Sequence, residues 1–343
     1  AVDLCPIADG GEGFMEALAA ELRGRWVGCP AVDALGREID SRYFLAETAE
    51  GPVAVLEMAE TAGLWRLGKD ERVPRLAGTR GTGMQIAHAA GGPPLACIVL
   101  GLGGSATNDG GAGMAAALGL EFLGDDGYPL DPIPWNLPRL ARVDGSRRIA
   151  LPEIVAACDV KNPLLGAQGA TAVFSRQKGA TAEDSLFLEA ALARLVAVTG
   201  GEAFAAEPGA GAAGGLGFGL RHFAGARLVP GFELLAGLLG LEERIRRADL
   251  VVTGEGSLDP QSLAGKGPVA LARLAGSLGV PVSAFCGRVD PTMRDSGLFR
   301  AVHALAELGL PEAVLMGRAG PLLADLAARH VAGDAGSSWD RGV

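Results

Sequence analysis

Histidine and paired cysteine, the usual raw material of metal and nucleophilic centres, are scarce in this sequence. His88, His222, His303 and His330 form no HxxxH cluster, and Cys5, Cys29, Cys97, Cys158 and Cys286 are odd in number, far apart and never in CxxC spacing. A structural zinc site is therefore not expected, and the cysteines, mostly inside apolar runs such as ACIVL and VAACDV, read as buried reduced thiols. No apolar run approaches the roughly 18 residues of a membrane helix and no signal peptide opens the chain, so a soluble, cytoplasmic protein with no membrane partner is expected. Positive charge is also short. Thirty Lys plus Arg against 40 Asp plus Glu give a net charge of −10, which argues against a nucleic-acid or anionic-membrane surface. Small anions can still be held by local backbone donors. Neither a repeat of solenoid length nor a heptad pattern is present.

What the sequence has in excess is glycine. Its 343 residues include 53 glycines, about twice ordinary usage, without collagen period and set between apolar segments. The length favours two α/β domains. Short apolar runs alternate with helix-length stretches, the signature of strands feeding helices around a largely parallel sheet. VDLCPI, VAVLEM, ACIVL, IVAAC, ADLVVTG and VPVSAF read as strands. GEGFMEALAAEL, GGAGMAAALGL, DSLFLEAALARLVAVTG and PVALARLAGSLG read as helices, the last with Pro268 in its first turn. Asp125 to Arg148, with four prolines and Trp135, reads as a long surface loop. GAGAAGGLGFG reads as a tight turn opening a helix, and the terminal GDAGSSWDRGV as frayed.

The stretch GLGGSATNDGGAGM, Gly101 to Met114, follows the apolar run CIVL. Successive glycines after a strand let backbone N–H groups converge on an anion, and the next helix adds its partial positive charge. The P-loop pattern fails, because no Lys-Ser or Lys-Thr follows. Gly101, Gly103 and Ala106 satisfy GxGxxA, with Glu121 about 20 residues on, as in dinucleotide-binding folds. The helix, however, is expected to begin near Gly110, capped by Asn108 or Asp109. Thr107, Asn108 and Asp109 then stand at the mouth of the loop, within reach of a Mg2+ ion or a substrate hydroxyl. The alternative is a glycine-rich turn in which Asp109 only caps a helix.

The same grammar recurs in IADGGEGF, with Asp9 and Glu12, and in VVTGEGSLDPQSLAGKGP, with Glu255, Asp259 and Lys266. VAACDVKNPLLG ends a strand on Asp159, followed by Asn162. Four strand ends carrying carboxylate or amide groups suggest one shared cleft at the carboxyl edge of a sheet. Acidic groups, backbone nests, Lys178 and Lys266 without a His or Cys nucleophile suit Mg-assisted phosphoryl transfer. Ser105, in GGSAT rather than GxSxG, does not suit nucleophilic hydrolysis.

GLGGSATNDGGAGM, ADGGEG, ACDVKNPLLGAQGA, FSRQKGA, PGAGAAGGLGFG and ADLVVTGEGSLDPQSLAGKGP together resemble the bacterial glycerate kinase family, type I. That resemblance implies phosphorylation of D-glycerate by ATP and Mg2+, mostly at the 2-hydroxyl, on two α/β domains with the active site between them. One domain would be Rossmann-like, with a mostly parallel sheet, built from both chain ends (1–30 and 245–343); the other (31–244) would be inserted. Carried over position by position, it marks Asp9, Glu12, Gly103, Gly104, Ser105, Asn162, Lys178 and Asp259 as binding residues. Asp159, Asp109, Asn108 and Lys266 would be catalytic. Asp159 would serve as base or orienter for the hydroxyl, Asp109 and Glu255 would stand near the metal, and Lys178 and Lys266 would face the glycerate carboxylate or the phosphates.

The chain also departs from the family pattern. It opens almost at the CPIADGG segment, without the hydrophobic strand and PDSFK-like segment that family members carry before it. Loss of that strand would leave neighbouring backbone groups unpaired. Met84 stands where the family has the Glu of GTGE, and CGRVDPTM brings Arg288 and Asp290 toward a strand end. Two other readings stay open: a catalytically impaired binding protein for nucleotide or hydroxy acid, and an NAD-dependent dehydrogenase. The oligomeric state is also open, a homodimer included.

Overall fold

Whether apolar residues alternate or run on decides where each strand lies. The computed structural model describes residues 1–8, 10–264 and 267–336. β1 (Gly24–Val32) and β2 (Glu38–Thr48) bury residues in partial alternation and pair antiparallel, Trp26 opposite Phe44, as suits a ribbon with one wet face. Along the chain follow β3 (Gly51–Glu57), β4 (Cys97–Gly101), β5 (Glu121–Gly124), β6 (Leu140–Asp144), β7 (Ile154–Ala157) and β8 (Arg227–Val229). The buried runs of β3, β4 and β7 lie side by side and parallel in a six-stranded sheet of order β1-β2-β3-β4-β7-β8. Their register sets Glu57 opposite Gly101 and Gly101 opposite Ala157, so three carboxyl ends are level.

Helices form where one apolar face exists to be buried. Phe14–Glu21 buries Phe14, Met15, Ala17 and Leu18 and packs on β2 and β3. Ala182–Thr199 opens on a capping box, in which Thr181 Oγ1 accepts from the Asp184 amide and the Asp184 carboxylate accepts from Thr181, and closes on Gly200 at φ 65°; both devices satisfy terminal backbone groups.

Downstream lie β9 (Val251–Thr253), β10 (Ser257–Leu258), β11 (Val282–Cys286), β12 (Arg288–Val289) and β13 (Ala301–Ala304). β13, β11 and β9 form a parallel sheet in that order, and β10 pairs parallel with β12. The helix Gly267–Ser277 carries Pro268 in its first turn and packs on β9 and β11, while Ala319–Gly336 packs on β11. The mixed α/β class with parallel strands is as expected from the sequence.

Contacts group the chain into Ala1–Leu235 and Ala236–Val343. Within the first, Phe14–Glu21 packs on β2 and β3 and β1 is hydrogen-bonded to β2. Two expectations are corrected. VDLCPI forms no strand, and its Val2 and Leu4 are exposed rather than buried in a sheet. The 125–148 excursion is not all loop, since β6 pairs with β5, Leu137 and Leu140 are buried, and Trp135 stacks on Phe187 at 5.6 Å.

Candidate active site

The level ends of β3, β4 and β7 are covered by a loop that only glycine can build. Gly10 has φ 87°, and a Cβ there would lie 2.9 Å from the Ala157 Cβ; a Cβ on Gly103 would lie 2.2 Å from the Gly11 Cα. Gly103 N–H donates to the Gly10 carbonyl at 3.1 Å, so two glycine segments touch backbone to backbone. Gly104 then turns at φ 70° beneath the exposed side chain of Glu12, and Ser105 bridges to Gly63. The structure thus brings Glu12, Gly103, Gly104 and Ser105 together at the strand ends. Asp159 lies two residues beyond β7 and is exposed; its Oδ1 accepts the Gly231 amide at 2.8 Å, at the start of the helix Gly231–Leu238. Asn162 is partly buried in its own loop, where Nδ2 donates to the Gln168 carbonyl at 2.7 Å.

Three expected site residues are interior instead. Asp109 is fully buried: Oδ2 accepts from Thr79 N at 2.8 Å, Thr79 Oγ1 at 2.8 Å and Gly113 N at 3.1 Å, while Oδ1 accepts from Gly111 N at 3.1 Å. Four donors fill the roughly four lone-pair sites of a carboxylate. Asp109 therefore fastens the amino end of the helix Ala112–Ala117, with both carboxylate oxygens engaged by protein donors. Asn108 is buried too, with Nδ2 donating to Thr171 Oγ1 at 3.0 Å and no donor reaching its Oδ1 among the described residues. Lys178, 2% exposed, donates from Nζ to the Thr107 carbonyl at 2.6 Å. Burial pushes its ammonium down to about 7, against the nearby charge of Asp109, and burial likewise raises the Asp109 carboxyl against the pull of its four donors.

The glycine run is accordingly more joint than anion nest. Leu102 N donates to the Ala157 carbonyl, Ala106 N to Ala62 and Gly110 N to Gly214, which leaves Gly103 to Ser105 as its solvent-accessible part. Its far side rests on Ala213, Gly214 and Gly215, three successive left-handed residues, and a Cβ on Gly214 would meet the Thr107 carbonyl at 1.8 Å. The dinucleotide fingerprint is not realised. The helix begins at Ala112 rather than beside Ala106, and Glu121 sits in the separate β5–β6 ribbon.

Glu57 was not among the residues picked out in the sequence, although it closes the apolar strand VAVLEM. It is 6% exposed, its Oε1 accepts the Met15 amide at 2.6 Å, and burial pushes it up to about 7.

In the downstream unit, Glu255 has a buried Oε1 that no donor reaches among the described residues. An unsatisfied buried carboxylate oxygen suits a hard cation. Asp259 accepts from Ser257 Oγ at 3.2 Å, and Arg288 Nε donates to the same Ser257 Oγ at 3.0 Å. No cluster of three or more His, Cys, Asp or Glu forms a ready-made metal site among the described residues. Asp9 and Lys266 lie outside the described residues. No described helix is long and apolar enough to cross a membrane.

Known proteins resemble this chain in sequence and in fold. The glycerate kinase family model matches residues 1–333. A glycerate kinase of Halalkalibacterium halodurans is 38% identical, covering 98% of this chain and 90% of the relative. The glycerate 2-kinase of Escherichia coli K12 is 38% identical over 82% of this chain and 76% of its own length. The crystal structure of a Salmonella typhimurium LT2 protein assigned as glycerate kinase 2 superposes with a TM-score of 0.79 at 36% identity, covering 96% of this chain and 88% of that one. The chain belongs to the glycerate kinase family and is an enzyme with kinase activity.

Proposed function

We propose that the protein transfers the γ-phosphoryl group of ATP to D-glycerate, at the 2-hydroxyl, with Mg2+. The observation that carries this reading is the cluster of exposed Glu12 and Gly104 with half-buried Gly103 and Ser105 at the level ends of β3, β4 and β7, in a chain whose relatives are named glycerate kinases. Phosphoryl transfer asks a protein mainly to position groups and neutralise charge. Gly103, fixed by its N–H to Gly10, would set the turn in which the Gly104 backbone and the half-buried Ser105 hydroxyl bind an anionic group, and Asp159, held by Gly231 N–H, would orient the acceptor hydroxyl and take its proton. Glu12 would shape the approach above Gly104. Glu255 would hold Mg2+, which when bound screens the phosphate charge. Asp9, Asp259 and Asn162 stay in the proposal as binding residues, and Lys266 as a catalytic one. Asn108, Asp109 and Lys178 act from behind as the frame of the glycine run.

The experiment is D-glycerate-dependent ADP release from Mg-ATP, with 31P NMR of the product to distinguish the 2- from the 3-phosphate. Turnover giving the 2-phosphate is expected. A folded protein that binds nucleotide or glycerate without turnover would overturn this in favour of a binding protein, and a 3-phosphate would overturn the regiochemistry alone.

A further inference from the structure

The side chain of Glu57 stands where the two glycine segments meet. It ends β3 level with Gly101, and a Cβ built on Gly101 would lie 3.5 Å from its Cγ. From there its Oε1 reaches across 42 residues of sequence to the Met15 amide at 2.6 Å, and the Gly13 amide also donates to the carboxylate. Those two N–H groups belong to the amino end of the helix Phe14–Glu21, where backbone donors have no intrahelical acceptor. Gly13 itself, at φ 88°, supplies no capping side chain. The Gly10–Gly13 loop holds left-handed turns at both ends, so its own sequence does little to fix its path. An external anchor is needed.

We propose that Glu57 is a positioning residue that seats the Gly10–Gly13 loop on the Gly101–Ser105 run and so sets the spacing of the exposed cluster. This rests on the reading of that cluster as the substrate-facing surface. Glu57 itself touches no reacting atom.

The surroundings give the seat a pH dependence. Facing Glu57 are Glu16 on the same helix as Met15 and Glu60 on the helix Ala59–Ala62, both raising its affinity for a proton, while the Met15 and Gly13 amides lower it. Arg42 of β2 is paired with Glu16 at 3.2 Å, Arg66 faces Glu60 at 3.7 Å, and β4 presents only backbone at Gly101. Burial outweighs the donors, so Glu57 is held near 7. Because the seated carboxyl binds its proton more tightly than a free one, seating is firmest in mild acid and loosens as pH rises from about 5 through 7.

Two substitutions separate the claims. Glu57→Ala removes the acceptor: amide exchange at Met15 should quicken at least about tenfold, with KM for glycerate or ATP raised about tenfold and kcat changed less. Glu57→Gln copies the protonated acid, so it should restore the Met15 bond. In the wild type, Met15 protection, corrected for intrinsic exchange, should fall up to about a hundredfold between pH 5 and 8, whereas in Glu57→Gln it should stay level. Unchanged KM and Met15 exchange in Glu57→Ala, or the same pH course in wild type and Glu57→Gln, would overturn the proposal. Should Glu57→Ala not fold, the comparison of wild type with Glu57→Gln decides alone. If the wild type shows no glycerate-dependent turnover, the functional reading fails, while the exchange measurements still decide the role of Glu57.

Discussion

Lys178 donates its ammonium to the carbonyl of Thr107 at 2.6 Å while 2% exposed, so a cation stands inside the frame of the glycine run rather than on its surface. Thr107, Asn108 and Asp109 are all fully buried beside it. The lysine therefore braces the loop that carries Gly103 to Ser105.

The titration of Lys178 gives this a direct check. Its folded value near 7 lies below the ordinary 10.5, so the unfolded chain binds the extra proton between these values and stability should rise with pH across that window. In Lys178→Met, which keeps volume without charge, that rise should disappear. Urea unfolding at pH 7, 8.5 and 10 would show wild type gaining on the order of a few kcal/mol relative to the variant. Parallel curves would place the ammonium in solvent.

Asp109 should behave as a structural carboxylate. Asp109→Asn turns an NH2 group toward backbone donors that need acceptors, which should destabilise by about 2 to 4 kcal/mol and lower Tm by roughly 10 °C. The Mg2+ concentration for half-maximal activity should stay the same in the folded fraction. A large shift in that concentration with little loss of Tm would return Asp109 to the metal.

Much of this frame was legible in the sequence, and the part that was not has one physical cause. VAVLEM, ACIVL and IVAAC form adjacent parallel strands because unbroken apolar runs need cover on both faces. Phe14–Glu21 and Ala182–Thr199 follow from local periodicity and caps. The glycines of GLGGSATNDGG mark a special backbone, but their reason lies far along the chain: Gly11 against Gly103, and Gly214 against Thr107. Asp109 is filled by Thr79, 30 residues upstream, and Lys178 finds its acceptor 71 residues away. No local pattern separates such residues from solvent-facing ones. VDLCPI shows the converse, since its apolar residues Val2 and Leu4 stay exposed and the run forms no strand.

Glu255 should carry the metal dependence that Asp109 does not. Its Oε1 is buried and reached by no donor among the described residues, so Glu255→Gln removes charge while no hydrogen bond from those residues is lost at that atom. The Mg2+ concentration for half-maximal turnover should rise at least about tenfold with Tm nearly unchanged. An unaltered Mg2+ titration would take Glu255 out of the ion's coordination.

Asp159 offers the sharpest division between scaffold and chemistry, because the bond to Gly231 needs only an acceptor oxygen whereas the proposed proton transfer needs an ionisable carboxyl. Its Oδ1 accepts the Gly231 amide at 2.8 Å, and the side chain is exposed just past the end of β7. In Asp159→Asn the amide oxygen can still accept from Gly231, so the helix Gly231–Leu238 stays fastened and Tm should move little. The group able to take a proton is gone, and kcat should fall about a hundredfold or more. In Asp159→Ala both functions go, adding about 1 kcal/mol of destabilisation from the lost cap. If Asp159→Asn keeps kcat within about tenfold of wild type while Asp159→Ala loses stability, Asp159 is a cap, and the acceptor hydroxyl must be oriented by another residue at the strand ends, Glu12 first among those described.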